Sequence, residues 1–439
     1  MKKRFLLLLL STLPLLSESI LTTGYRHASD LDHMPSHHVR DTIRIPQTAK
    51  YFSKQIIPIS SKNQKKYDKK YNQKFFRPWS RKSMGLTGRQ KKWQFKFSRQ
   101  KIYQRNGQRV SRKWFKYQIR NSNFKAYESV LKPAISLRHC DLKIYPTFSD
   151  FYYNPKRTGE GFPFDYNQNS SININTPLIV SHYSKDKKWV YIRCSYAYGW
   201  LPVKDIAFVN WNFIKKFKNN NYAVTIRDNL FIKDKTVKTI VKLGTIFPID
   251  KASKKYMIAS RNSKGYAKVE LIRVEKNSII VKKPLPFTAK NVALIANQLV
   301  KEPYGWGGKL EARDCSSLTK DFFAPFGIFL RRNSFEQATD SWNRTSIRWL
   351  SVKKKKARIL KKAKPFRSLI YVNGHITLYL GQWKGEPVIL HNYWGARLNN
   401  RKKLILGRAI ITTTEIGKER KDIRKKSMLI RSFKKIITF

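Results

Sequence analysis

The chain reads as an α+β multidomain protein, two small β-barrels followed by a domain that places helices before an antiparallel sheet. Three observations predict this. Between about residues 131 and 283, short runs of β-branched and aromatic residues alternate with Ser, Asp, Lys or Gly, a spacing too tight for βαβ units. From Pro284 onward the pattern becomes helical and then returns to strands, the order of an α+β domain. The length of 439 residues, with 13% aromatics, is enough for several separate cores.

Composition narrows the class further. Lys and Arg number 91 against 27 Asp and Glu, a formal net charge of +64, with 41% hydrophobic residues. A disordered polycation would lack those apolar residues. Three cysteines without a C-x-x-C pair exclude a disulfide scaffold and a zinc ribbon. No apolar run reaches the roughly 20 residues of a membrane span, which excludes a multi-pass membrane protein. The first residues, MKKRFLLLLLSTLPLLSES, carry a basic start, a short apolar run and small residues for cleavage. That is the pattern of a secretory signal peptide over residues 1–19, so export to the periplasm or cell envelope is expected.

Residues 20–61 read as a polar, solvated arm. His27, His33, His37 and His38 cluster there beside Asp30 and Asp32, without the regular ligand spacing of a metal site. No metal or other cofactor is expected. Residues 62–130 form a basic and aromatic segment. Within 62–125 there are 22 Lys or Arg against the single acid Asp68, interleaved with Trp79, Trp93, Phe95, Phe97, Trp114 and Phe115. Such a segment either packs on the rest through its aromatics or forms an adhesive surface for polyanions. Export favours an anionic wall polymer or lipid surface over nucleic acid, whose signature of interleaved aromatics and cations it shares. The first barrel spans 131–210, with strands near 178–180, 189–191 and 200–203. The second spans 219–283, with strands near 223–226, 230–232, 239–243, 245–249 and 267–272. The last domain covers 286–439: a helix over 291–302, a glycine-rich turn, a second helix from Asp314, a basic loop over 353–364, then strands.

The chemistry concentrates in this last domain. Asp314 is a good N-cap, which puts Cys315 in the first turn of a helix. Unpaired amides and the helix dipole there favour a thiolate, so a lowered pKa is expected. His375 and His391 lie on two strands joined by a turn near Lys384. A hairpin centred there sets His375 opposite Tyr393, with His391 two residues away on the same face. Either histidine alone would be unremarkable in a core. Two in register behind a helix-start cysteine make a thiol hydrolase: Cys315 attacks an acyl carbon, His375 moves the proton, and His391 orients His375. Oxyanion donors would be the Cys315 amide and the Tyr304 hydroxyl.

These residues carry a resemblance. Pro303-Tyr-Gly-Trp-Gly-Gly308, Arg313-Asp-Cys-Ser-Ser317, Arg332-Asn-Ser334 with Gln337, Gly374-His375 and His391-Asn392 resemble the NlpC-type papain-like peptidases of bacterial cell walls. Upstream, Gly159-Glu-Gly-Phe-Pro-Phe-Asp-Tyr166, Val180-Ser-His182 with Trp189, and Gly199-Trp-Leu-Pro202 resemble the first of two SH3-like domains found in one subgroup. Phe75-Phe-Arg-Pro-Trp79 resembles that subgroup's N-terminal stabilising clip. The resemblance implies two SH3-like barrels before a papain-like domain, and hydrolysis of the γ-D-glutamyl–meso-diaminopimelate (or Lys) bond of peptidoglycan stem peptides. It implies Cys315, His375 and His391 as the triad and Asp314 as a holder of the stem's free amine. Ser316 and Ser334 become substrate contacts, with Asp165 or Tyr166 from the first barrel lining the same site. Arg331, where the family usually has proline, the basic insert at 353–364 and the extreme charge depart from the pattern.

Other classes remain open on sequence alone. A weak or inactive wall- or polyanion-binding protein would keep the barrels and the basic segment, although the intact Cys/His/His set argues against lost activity. Acyl transfer would use the same thiol. A glycosidase needs paired acids, which are not recognisable here. Cys140 and Cys194 both fall in the first barrel and could pair in an oxidising compartment.

Overall fold

The computed structural model describes residues 19–23, 30–157, 159–233, 239–275 and 279–439. Residues 1–18 of the expected signal peptide, and His27, lie outside the described residues. No helix among the described residues is long and apolar enough to cross a membrane.

The N-terminal region is not a solvated arm. Ile20–Thr22 is a strand that pairs antiparallel with Leu230–Lys233 and parallel with Ala267–Val274, and Leu21 is fully buried. Short helices at Arg40–Arg44 and Ala49–Ser53 follow. Ile45, Ala49, Phe52 and Ile59 enter the core of the last domain. The reason is local and easily overlooked: single apolar residues spaced among polar ones are enough to anchor a segment when each is fully buried, and a Phe such as Phe52 contributes roughly 1.5–3 kcal/mol.

The basic segment opens with α1 (Ser61–Phe76), capped by Ser60. Its aromatics are interior. Phe75 and Phe76 pack beside Trp79 against both β-regions, while Phe97, Phe115 and Tyr145 form a second cluster with Trp93, Phe95 and Trp114 at its margin. The packing reading of this segment therefore accounts for its aromatics, and the cations are left on the outside.

The first β-region is a seven-stranded antiparallel sheet drawn from residues 132–208 and wrapped round its own apolar cluster. Cys140 and Cys194 both sit in that cluster as free, buried thiols. The second β-region, residues 222–282, contributes four strands to a five-stranded sheet completed by Ile20–Thr22, and three to a smaller sheet. The last domain packs α2 (Ala289–Leu299) and α3 (Cys315–Phe323) on a six-stranded antiparallel sheet. Four consecutive strands of it are β1 (Ser368–Val372), β2 (His375–Trp383), β3 (Glu386–Arg397) and, at the edge, β4 (Lys403–Thr413). The molecule is thus a mixed α+β assembly. The expected basic loop at 353–364 is instead a helix, Val352–Lys362. Ser351 caps it, Ile359 is buried, and Lys356 reaches Glu386 and Glu415. Lysine and arginine are good helix formers once a cap and one apolar stripe are supplied.

Candidate active site

Cys315 is the first residue of α3. Asp314 caps the helix by accepting the Ser317 N–H at 2.8 Å, while the Ser317 hydroxyl accepts from the Asp314 N–H at 2.8 Å, completing a capping box. As a first-turn residue, Cys315 has an N–H without an intrahelical acceptor. The turn before it is held open by glycine. Gly307 and Gly308 have φ of +64° and +88°, and a Cβ on Gly307 would meet the Gln168 carbonyl oxygen at 2.7 Å. The turn is therefore pressed against the first β-region by backbones that only glycine allows to approach.

The histidines come from the β2–β3 hairpin. Leu378 pairs with Leu390, the register that carries His375 toward Tyr393. The tight turn at Lys384-Gly385 would set a register one residue different, and a bulge around Gly381 absorbs the offset. His375 Nε2 and His391 Nδ1 are 2.9 Å apart, and His391 Nε2 is 3.1 Å from Thr412 Oγ1 on β4. The Thr412 hydroxyl donates its proton to the Thr413 carbonyl at 2.8 Å. Its oxygen can then only accept from His391 Nε2–H, which leaves His391 Nδ1 as the acceptor of His375 Nε2–H. The remaining nitrogen of His375, Nδ1, carries a free lone pair. Burial and the neighbouring His375 push the His391 pKa well down, and burial, opposed by Asp314, pushes His375 down to about 4. Both rings are neutral in the resting protein.

The thiol does not have the lowered pKa expected from its helix position. Burial, reinforced by the Asp314 carboxylate, pushes it up to about 12. The backbone N–H groups of Ile376 and Ser316 and the Arg332 guanidinium act in the opposite direction without prevailing. Ile376 directly follows His375, so the sulfur lies against the start of β2. The helix dipole is real, but a desolvated sulfur with a carboxylate beside it loses more than the dipole returns. The resting pair is a neutral thiol and a neutral imidazole.

A groove of about 680 Å³ opens beside Cys315 and is lined by Tyr304, Asp314, Ser316, Ser334 and Tyr166 among others. The five line one groove, although their surroundings differ. Burial and the proximity of Cys315 keep the Tyr304 hydroxyl protonated, with its pKa well above the usual value. Asp314 is heavily engaged: Arg332 grips it at 3.0 and 2.7 Å, and the Gly307 N–H, Ser316 and Ser317 donate to it as well. Burial pushes its carboxyl up, but Arg332 and Ser317 outweigh that and hold it at about 2. It has little capacity left for an incoming amine. Asp165 is a correction: it is fully buried away from the groove, bound to Lys309 at 3.0 Å and accepting the Phe151 and Asn167 N–H groups. The motif fixed its position in the chain, but Lys309, from the turn before Cys315, captured its charge.

Several groove residues are not assigned to the site by the sequence. Trp93 and Lys96 belong to the basic segment, and Glu336 to α4 (Ser334–Thr339). Arg332 lines the groove while gripping Asp314, and Thr412 acts behind the site. Only Arg332 stood in a recognised motif. Among the described residues, no group of His, Cys, Asp and Glu is arranged to hold a metal ion; His37 instead lies with Nδ1 2.9 Å from the Ile405 carbonyl.

A capped helix-start cysteine, a paired histidine hairpin and a groove between modules are the parts of a papain-like thiol peptidase. Comparison with known proteins agrees. Residues 8–127 match the N-terminal NLPC_P60 stabilising domain, 150–202 an SH3 domain of the SH3b1 type, and 301–402 the NlpC/P60 family. The chain belongs to the NlpC-type papain-like peptidases, a family of cell-wall cysteine peptidases, with an SH3-like domain and an N-terminal stabilising domain. Among solved structures, an NlpC/P60 endopeptidase from Photobacterium damselae subsp. piscicida shares the fold, with a TM-score of 0.79, 23% identity, and 95% of this chain and 98% of that one covered. An NlpC/P60 family protein from Bacillus cereus ATCC 10987 has a TM-score of 0.45 and 13% identity over 70% of this chain and 99% of its own. No curated protein matches.

Proposed function

We propose that this protein is an exported endopeptidase that hydrolyses the γ-D-glutamyl–meso-diaminopimelate (or Lys) bond of peptidoglycan stem peptides by a Cys315/His375/His391 mechanism. The observation that carries the proposal is the one-way hydrogen-bond chain from Thr412 through His391 to His375, beside a cysteine that opens onto a groove. In this mechanism His375 Nδ1 accepts the thiol proton as sulfur attacks the acyl carbon. The imidazolium then returns the proton to the leaving amine. His391 receives the Nε2–H bond throughout and stabilises the charge on His375. The Cys315 N–H and the Tyr304 hydroxyl stabilise the oxyanion. Water, deprotonated by His375, releases the acyl group.

The second β-region is read as a second SH3-like barrel, which divides the chain at 131–210, 219–283 and 286–439. The outward cations of 62–125 are read as a contact for an anionic wall polymer or lipid surface. Mass spectrometry of products from defined muropeptides tests the reaction. Wild type should release fragments cut at the D-glutamyl–diamino acid bond, and Cys315→Ala should release none. Equal cleavage by the two would overturn the mechanism.

A further inference from the structure

The groove beside Cys315 is built only in part by the peptidase domain. The basic segment supplies Trp93 and Lys96, from the turn Trp93–Arg99, to its wall. Four charged side chains line the groove: Lys96, Asp314, Arg332 and Glu336. Two of them cancel. Asp314 and Arg332 form a buried, bidentate pair, so neither offers a net charge to a ligand.

Lys96 and Glu336 remain. Lys96 is exposed, with its ammonium 5.7 Å from the Trp93 ring centroid and 5.1 Å from that of Phe97. These ring faces steady the ammonium without neutralising it. Glu336, from the first turn of α4, accepts a hydrogen bond from Asn333 Nδ2 at 2.8 Å. Among the described residues neither makes an ion pair. Arg331 and Arg193 act on the Glu336 carboxylate from beyond ion-pair distance without closing on it, so in a protein carrying +64 it faces a groove with no direct ion pair and shares that groove with the Lys96 ammonium.

We infer that Lys96 and Glu336 recognise a substrate group bearing both a carboxylate and an ammonium, the free end of a diamino-acid residue. The inference rests on the peptidase reading above and sharpens it. Diaminopimelate carries both charges at its far end, whereas lysine carries only the ammonium. Glu336 therefore suits either residue, and Lys96 makes the choice between them. The N-terminal segment thereby becomes part of the specificity surface rather than only a brace.

The test measures binding to the full chain carrying Cys315→Ala, so that its outcome does not depend on cleavage. Calorimetry uses four stem peptides: one with diaminopimelate, one with lysine, one with the far carboxylate of diaminopimelate amidated, and one with the glutamate α-carboxylate amidated. The diaminopimelate peptide should bind about tenfold tighter than the lysine or far-amidated peptide. Adding Lys96→Ala should abolish that difference, and Lys96→Arg should keep it. Glu336→Gln should weaken the diaminopimelate and lysine peptides together. A preference that survives Lys96→Ala overturns the inference. So does a Lys96-dependent loss that follows amidation of the glutamate rather than of the diamino acid, because the carboxylate seen would then be the wrong one. Cleavage by the wild-type chain is measured separately. Its absence would remove the peptidase reading while leaving the recognition result to stand or fall by itself.

Discussion

The Thr412 hydroxyl, 3.1 Å from His391 Nε2, sets the proton positions of the whole histidine pair although it touches neither the thiol nor the groove. Its own proton is committed to the Thr413 carbonyl, so every hydrogen bond upstream must run in one direction. Thr412→Val removes the acceptor and leaves His391 free to invert its tautomer. The expected result is a fall in kcat of about tenfold with KM unchanged, since substrate contacts are untouched. Thr412→Ser should restore most of it, and ¹⁵N chemical shifts should show mixed histidine tautomers in the valine variant only. Normal kcat in Thr412→Val would show that His391 keeps its tautomer by other means.

The pH profile follows from the same geometry. Only neutral His375 can accept the thiol proton, and burial lowers its pKa to about 4. A lowered pKa keeps the ring neutral to more acidic pH, so activity should persist below pH 6 and fall as pH drops through about 4. On the alkaline side the thiol, pushed up to about 12 by burial and Asp314, should give no second limb in the working range. An acid limb near 6.5, the ordinary histidine value, would mean that burial does not lower the His375 pKa, and a fall in activity above neutral pH would mean that the resting pair is charged. Alkylation of Cys315 by iodoacetamide should likewise be slow at pH 7 and accelerate up to pH 10.

Much of this site was readable from residue order, and what was missed shares one physical cause. Asp314 before Cys315 is a local capping signal. The His375/His391 register follows from a turn and a period of two, with the bulge at Gly381 restoring the expected pairing. These are short-range rules. Trp93 and Lys96 reach the groove from more than two hundred residues away in sequence, and nothing near them in the chain signals it. Ile20–Thr22 became a strand because two distant strands left a place between them. The Cys315 pKa was misjudged because the dipole is a property of one helix, whereas desolvation depends on everything packed over it. Asp165 failed for a related reason: a motif gives the residue, and a partner such as Lys309 decides where its charge is spent.

The glycine turn before Cys315 should tolerate no side chain. In Gly308→Ala the new Cβ would lie 2.6 Å from Ser171 Oγ at a φ of +88°, so the turn must withdraw from the first β-region. Because Gly307 N–H also donates to Asp314, the cap of α3 would move with it. A loss of at least tenfold in kcat/KM is expected, together with a lower Tm. Unchanged kinetics would show that the turn is a spacer and not a support.

Arg313 ties the second β-region to α3, and its removal should be costly. The side chain is buried and contacts Asp228 through both terminal nitrogens at 2.7 and 2.9 Å, Glu302 at 2.9 Å and Asp321 at 2.7 Å. Burial pushes the Asp228 carboxyl upward, but Arg313 and Lys242 outweigh it and hold it far below the usual carboxylate range. The stabilisation is present above the unfolded value of about 4 and is lost as pH falls toward the depressed folded value. Arg313→Met leaves three buried carboxylates with less compensation, and breaking such a set by removing one partner costs about 3–5 kcal/mol. Urea unfolding at pH 7 should show that loss. At pH 4, where the orphaned carboxylates can protonate, the gap to wild type should narrow. Adding Asp228→Asn to Arg313→Met should recover part of the loss at pH 7, because an uncompensated charge has been removed. If the double variant is no more stable than the single, the cost lies in lost packing around the guanidinium and not in its charge.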